Sequence, residues 1–302
     1  FGLLALVTAV AVLLAIRRDS VFIALLGLLG GFATPALLAT GEDRPIGLFG
    51  YLLLLNVGLA WVAYRKRWAV LSALSLAFTA VYQIGWAVKF LTEAKLPLAV
   101  GIFAVFSSVA FVALLLSERG RRGAAPARDS GEDPSIFESA TYLSALVPLL
   151  FASYMAAVPA YGAHAGLLFG FLGLMVLGLF AIAVFRGPEL LHLVGGGATM
   201  LVGGLWLRLS YDASFWPGVL AFTTPFVVFF LASPFCARGL GRPFTGFRRR
   251  GSLVGAALLF AFPLLLAREP ATADPTLAFG VLLALLALTA VVAIALEDGS
   301  VY

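Results

Sequence analysis

Long apolar stretches separated by short polar junctions recur along the whole chain. Eleven can be drawn, at 1–16, 20–40, 46–64, 68–91, 98–116, 136–160, 165–185, 190–209, 214–235, 252–267 and 276–296. Their apolar positions are continuous rather than alternating, which excludes the wall of a β-barrel. About 20 apolar residues let a helix cross a hydrocarbon layer of about 30 Å, and a helix satisfies its own backbone hydrogen bonds there. The pattern therefore predicts an all-α, polytopic transmembrane helix bundle of about eleven spans. The tenth stretch is the shortest internal one and sits at the limit of what can cross. Phe1 opens inside an apolar run, without the basic start of a signal peptide. The chain is thus expected to be a piece of a longer protein whose first span lacks its beginning.

The junctions carry a second pattern. Those after odd-numbered spans hold Arg17 and Arg18; Arg65, Lys66 and Arg67; Arg119, Arg121, Arg122 and Arg128; Arg186; and Arg238, Arg242, Arg248, Arg249 and Arg250. Against these fifteen, the even-numbered junctions and span ends hold five: Arg44, Lys89, Lys95, Arg208 and Arg268. Short loops rich in Lys and Arg stay cytoplasmic. The asymmetry predicts Phe1 outside and the C-terminus inside, and a miscounted span would have scrambled the alternation. Trp61, Trp68, Trp206 and Trp216 lie near expected interfaces, where an amphipathic ring prefers to sit; Trp86 lies deeper. The longest junction, Ser117–Ser135, reads as a polar, flexible cytoplasmic linker (117–135) between a first helix group at 1–116 and a second at 136–302.

Composition agrees with lipid as the main solvent. Hydrophobic residues make up 62% of the 302 and charged residues 12%, against about a quarter charged in soluble proteins. The net charge of +5 does not point to nucleic acid, because the basic residues cluster at span ends without aromatic interleaving. The expected partners are membrane lipids and envelope proteins, with no nucleic acid, and the pattern specifies no oligomeric state. The single cysteine, Cys236, rules out an internal disulfide and any multi-cysteine metal site.

One region carries a resemblance. Gly30-Gly31-Phe32-Ala33-Thr34-Pro35-Ala36-Leu37-Leu38, then Gly41, then Leu48-Phe49-Gly50-Tyr51-Leu52 with Leu55-Asn56 and a basic cluster before Trp68, resembles the bacterial membrane proteins catalogued as domain of unknown function 2339. The likeness is specific over 20–91 and follows only hydropathy afterwards. It implies a partial chain of a longer protein in a bacterial inner membrane. It brings no activity and no catalytic residue.

Several residues invite a functional reading beside a structural one. Pro35 cannot donate a backbone hydrogen bond and leaves the Gly31 carbonyl without its usual partner. The result is either a hinged helix lining a substrate path or a tolerated kink with a Gly27/Gly31 packing face; the same alternatives apply to Pro148, Pro225 and Pro263. Phe32-Ala33-Thr34-Pro35 is echoed by Phe222-Thr223-Thr224-Pro225 in a span running the opposite way, although four residues are too few to establish an inverted repeat. Asn56 and Gln83 fall near the middle of adjacent spans, where an uncompensated amide costs roughly 2–7 kcal/mol. They must face a neighbouring helix or a hydrophilic cavity, with Tyr51, Thr79 and Tyr82 nearby.

Glu138 is the one carboxylate placed within a span, near its end. His192, ahead of Gly195-Gly196-Gly197, lacks a second His or a nearby acid and is weak evidence for metal. Arg208 could bind an anion, pair with Asp212, or simply extend to the interface. Glu42, Asp43 and Arg44 in an outer loop invite comparison with membrane glycosyltransferases, whose corresponding loops are longer. No phosphate loop, GxSxG, HExxH or CxxC occurs, and no cofactor is predicted. Broken helices with sparse central polar groups point first to a transporter-like or flippase-like protein for an amphipathic or envelope-related compound. The alternatives are a structural or assembly protein and an intramembrane transferase.

Overall fold

The computed structural model describes residues 10, 20–38, 41–66, 68–117, 134–186, 190–242, 244, 251–268 and 274–297. Among them there is no strand. The helices are α1 (Val21–Leu37), α2 (Pro45–Lys66), α3 (Ala69–Phe90), α4 (Leu96–Ser117), α5 (Pro134–Ala157), α6 (Pro159–Gly162), α7 (Ala165–Arg186), α8 (Leu190–Leu209), α9 (Trp216–Gly239), α10 (Gly251–Leu258), α11 (Ala261–Arg268) and α12 (Pro275–Glu297). Short 3-10 turns at Glu93–Lys95 and Ala213–Phe215 lead into α4 and α9. Seven helices among the described residues are long and apolar enough to cross a membrane. Apart from residue 10, the expected span 1–16 falls outside the described residues, as does most of the linker.

Local chemistry marks where the helices start. Proline opens α2, α5, α6 and α12, because the first helical residue needs no N–H and favours the φ that the ring imposes. Ser20 caps α1 through its side chain, accepting from the Ile23 N–H at 3.4 Å. Asp274 caps α12 from the Thr276 N–H at 2.8 Å. Arginines serve the other ends, where carbonyls lack intrahelical donors. Arg242 donates to the Phe185 carbonyl at the end of α7, at 2.7 Å. Arg268 donates to the Leu207 carbonyl at the end of α8, at 2.8 Å.

The tenth expected span is broken rather than continuous. Pro263 has no N–H for the Leu259 carbonyl, which instead accepts from Phe262 at 3.2 Å, and the chain turns at 259–260 between α10 and α11.

The chain divides into two compact units, Phe1–Pro148 and Leu149–Tyr302. In the first, α2 packs along α3, α1 lies against both, and α4 contacts α2 and α3. Leu28, Leu52, Leu59, Leu71, Leu96 and Phe103 are fully buried there, and Phe32 stacks on Phe78. In the second unit, α7 pairs with α8 and α9 with α10, while α12 lies against α9 and α11. Large apolar side chains nevertheless remain on the surface, among them Leu37, Ile46, Val88 and Leu283. Only 17% of the apolar window of α12 is buried. Surfaces of this kind are solvated by acyl chains rather than water.

The Gly195-Gly196-Gly197 run shows how finely packing discriminates between neighbours. A Cβ at Gly196 would stand 2.6 Å from a methyl of Val254, whereas one at Gly197 would meet nothing within 4 Å. Gly196→Ala is expected to destabilise the fold by about 1–3 kcal/mol through overpacking. Gly197→Ala should be neutral, or stabilising by up to about 1 kcal/mol through helix propensity. Reversible unfolding of both variants in mixed micelles checks this; equal effects would refute the α8–α10 contact.

Candidate functional site: the polar ties of the bundle

The first unit contains a chain of buried polar contacts between α2 and α3. Asn56 lies on the face of α2 that meets α3 and is 8% exposed. Its Nδ2 donates to the Leu52 carbonyl and to Thr79 Oγ1, both at 2.8 Å. Its Oδ1 accepts from Ser75 Oγ at 2.6 Å, and Thr79 Oγ1 donates to the Ser75 carbonyl at 2.8 Å. Both amide protons and the carbonyl oxygen of Asn56 are thereby engaged, as a buried amide requires.

Pro35 is buried inside α1. The carbonyl it orphans, that of Gly31, accepts a hydrogen bond from the Tyr51 hydroxyl of α2 at 2.9 Å. The Tyr82 hydroxyl of α3 donates to the next carbonyl, that of Phe32, and its oxygen also lies in hydrogen-bonding reach of the Ala36 backbone. Two neighbouring helices thus repair the break that proline makes in a third. Hydroxyl groups on adjacent helices are one of the ways a membrane bundle tolerates proline.

In the second unit a hydroxyl of the broken helix itself serves the freed carbonyl. Pro234 inside α9 frees the Phe230 carbonyl, which accepts from Ser233 Oγ at 2.9 Å. Since the Ser233 proton is committed there, the 2.9 Å contact between His192 Nε2 and Ser233 Oγ makes the imidazole the donor. Nε2 then carries the proton and Nδ1 a lone pair, an assignment that follows from the hydrogen-bond network. His192 is 1% exposed, stacks on Phe244 at 5.4 Å, and lies beside Phe180 and Phe230. Its Nδ1 has no hydrogen-bond partner among the described residues. No cluster of three or more His, Cys, Asp or Glu side chains that could hold a metal occurs among those residues either.

The remaining candidates divide differently. Gln83 is 5% exposed and lines a cavity of about 30 Å³ with Thr79, Phe106, Ser107 and Pro148. Pro225 is exposed on α9, so the sequence echo with Pro35 does not extend to its surroundings. Arg208 is exposed and makes no ion pair among the described residues; Asp212 accepts instead from the N–H of Ser214 at 2.9 Å. Hydrogen bonds from the Ser214 side chain and backbone hold the Asp212 carboxyl below its ordinary pKa. Glu138 belongs to α5, and its side chain lies outside the described residues.

The sequence singles out Asp43 as an outer-loop acid beside Glu42 and Arg44 but does not disclose its partners. Asp43, in the loop before α2, accepts from Trp86 Nε1 at 2.7 Å and from Lys95 Nζ at 2.5 Å. Trp86 is buried at 4% exposure with its edge against Phe49. The available signal was a Trp near the end of one helix, a Lys before the next, and an acid in a loop on the same side of the bundle.

Burial, the largest influence, pushes the Asp43 carboxyl up. The hydrogen bonds from Lys95 and Trp86, together with the Lys95 charge, outweigh it and leave the pKa below the ordinary 3.8. A depressed folded-state pKa gives stability that is fully present above the unfolded value and is lost as pH falls through the folded one. Stability should therefore decline below about pH 4 in the parent chain. Asp43→Asn should remove that contribution to the decline, and parallel pH slopes for the two proteins would refute the tie.

Comparison with known proteins adds one relationship. No curated protein and no solved structure matches the chain. A family model described as a predicted membrane protein, DUF2339, matches residues 1–167. That region holds α1 to α4, the Pro35 break with its tyrosines, the Asn56 contacts and the Asp43 tie. Because the match covers more than half of the 302 residues, the chain belongs to the DUF2339 family of predicted membrane proteins.

Proposed function

We propose that the chain is a non-catalytic structural or assembly component of the bacterial cytoplasmic membrane, a helix bundle that holds envelope proteins in register among the lipids. One observation carries this reading. The Asn56, Ser75 and Thr79 side chains inside the first unit are spent on one another and on backbone carbonyls, with Asn56 engaged by Ser75, Thr79 and the Leu52 carbonyl. A carrier for an amphipathic compound needs groups that exchange protein partners for substrate, and it needs room. Small-molecule sites occupy about 300–1,000 Å³, whereas the cavity beside Gln83 has about 30 Å³. The fifteen-to-five distribution of basic residues supports Phe1 outside and the C-terminus in the cytoplasm.

A transporter-like or flippase-like role is the second reading, favoured by the break in α1. Hydroxyls that hold freed carbonyls can release them, and broken helices recur in transporters. Lipid and metabolite profiling of cells lacking the full-length gene separates the two. The scaffold reading expects unchanged pools together with a weakened envelope. An amphipathic compound that accumulates, and disappears when the gene is restored, would contradict it.

A further inference from the structure

The cavity in the first unit carries an inference beyond the scaffold reading and independent of it. Gln83 lines this space while 5% exposed. Among the described residues it has no protein hydrogen-bond partner. Two hydroxyl-bearing residues share the wall, and both hydroxyl protons are already committed. Ser107 Oγ donates to the Phe103 carbonyl at 2.7 Å, and Thr79 Oγ1 donates to the Ser75 carbonyl at 2.8 Å. Ser107 keeps two free lone pairs, Thr79 keeps one after accepting from Asn56, and the Gln83 oxygen offers two more. The wall is rich in acceptors, and the amide of Gln83 adds two donors. Leu76, Phe106 and Pro148 add apolar surface to a space that is only partly enclosed.

The guest must therefore donate hydrogen bonds, accept from an amide, and fit about 30 Å³. A water molecule needs two to four polar partners and little more than the volume of one probe sphere. A bare sodium or ammonium ion would sit in apolar surroundings without a counter-charge, since no charged side chain lines the space, and such charges are expensive in a membrane interior. We propose that the cavity is a hydration site: one or two ordered water molecules are held by Gln83 and Ser107 and extend the Ser75–Asn56–Thr79 contacts from α2 and α3 to α4. The water is structural, and it replaces the protein partner that Gln83 lacks.

The test is hydroxyl-radical footprinting of the full chain in lipid nanodiscs, where radicals formed from bound water label the adjacent side chains, paired with an experimental map that resolves ordered water. Phe106 is expected to be labelled in the parent protein and to lose that labelling in Gln83→Met, which keeps the side-chain length. Ser107→Ala, which leaves the Asn56 contacts intact, should weaken the labelling and serves if Gln83→Met does not fold. The map should place one or two water peaks within hydrogen-bond reach of the Gln83 amide. The proposal is overturned by an unlabelled Phe106, by equal labelling in parent and variants, by an empty cavity, or by a peak that depends on sodium or ammonium concentration.

Discussion

Trp86→Ala is expected to lower the stability of the chain by about 3 kcal/mol, the low end of the range for deleting a buried aromatic ring. The low end applies because lipid tails are as apolar as the protein interior, so the transfer contribution of a soluble core is absent. What remains is the lost packing against Phe49 and the lost donor to Asp43. Trp86→Phe keeps most of the ring and removes only the hydrogen bond, and should cost about 1 kcal/mol. Reversible unfolding in mixed micelles measures both. Equal losses would mean that the ring contributes no packing, and no loss in either would remove Trp86 from the account.

The second large effect concerns the break in α1. Tyr51→Phe strands the Gly31 carbonyl in an apolar interior and should cost about 1–3 kcal/mol. Adding Tyr82→Phe should cost more, but less than the sum of the single changes, because adjacent carbonyls of one break share their relaxation. The decisive comparison uses Pro35→Ala, which restores an N–H for the Gly31 carbonyl. In that background Tyr51→Phe should become nearly neutral. A full cost for Tyr51→Phe regardless of residue 35 would show that the hydroxyl does not serve the proline break.

How much of this was legible follows the range of each signal. Hydropathy reports local composition, so α7 and α8 emerge almost to the residue, and Pro35 predicts an orphaned Gly31 carbonyl from covalent geometry alone. The partner of that carbonyl lies 20 residues away on another helix, and no periodicity marks Tyr51 as facing it. Asn56 and Gln83 look equivalent in sequence, yet one is saturated and the other meets a cavity, because the contents of the neighbouring helix decide. Asp43 is visible as an outer-loop acid but not as a tied one, since an acid in a short loop looks solvated until Trp86 and Lys95 converge on it. The tenth span reads as one stretch at the limit of what can cross, with Pro263 as a hinge or a kink, and only the structure shows which carbonyl loses its donor and that the chain turns there.

The central claim is that Asn56, Ser75 and Thr79 are tied to one another and do not line an aqueous path. Thiol accessibility tests it most directly, since the native cysteine is exposed and can be removed. In a Cys236→Ser background, Asn56→Cys and Ser75→Cys should resist a small, water-soluble thiol reagent in the folded protein and react once it is unfolded. Rapid labelling of either in the folded, membrane-embedded chain would contradict the account.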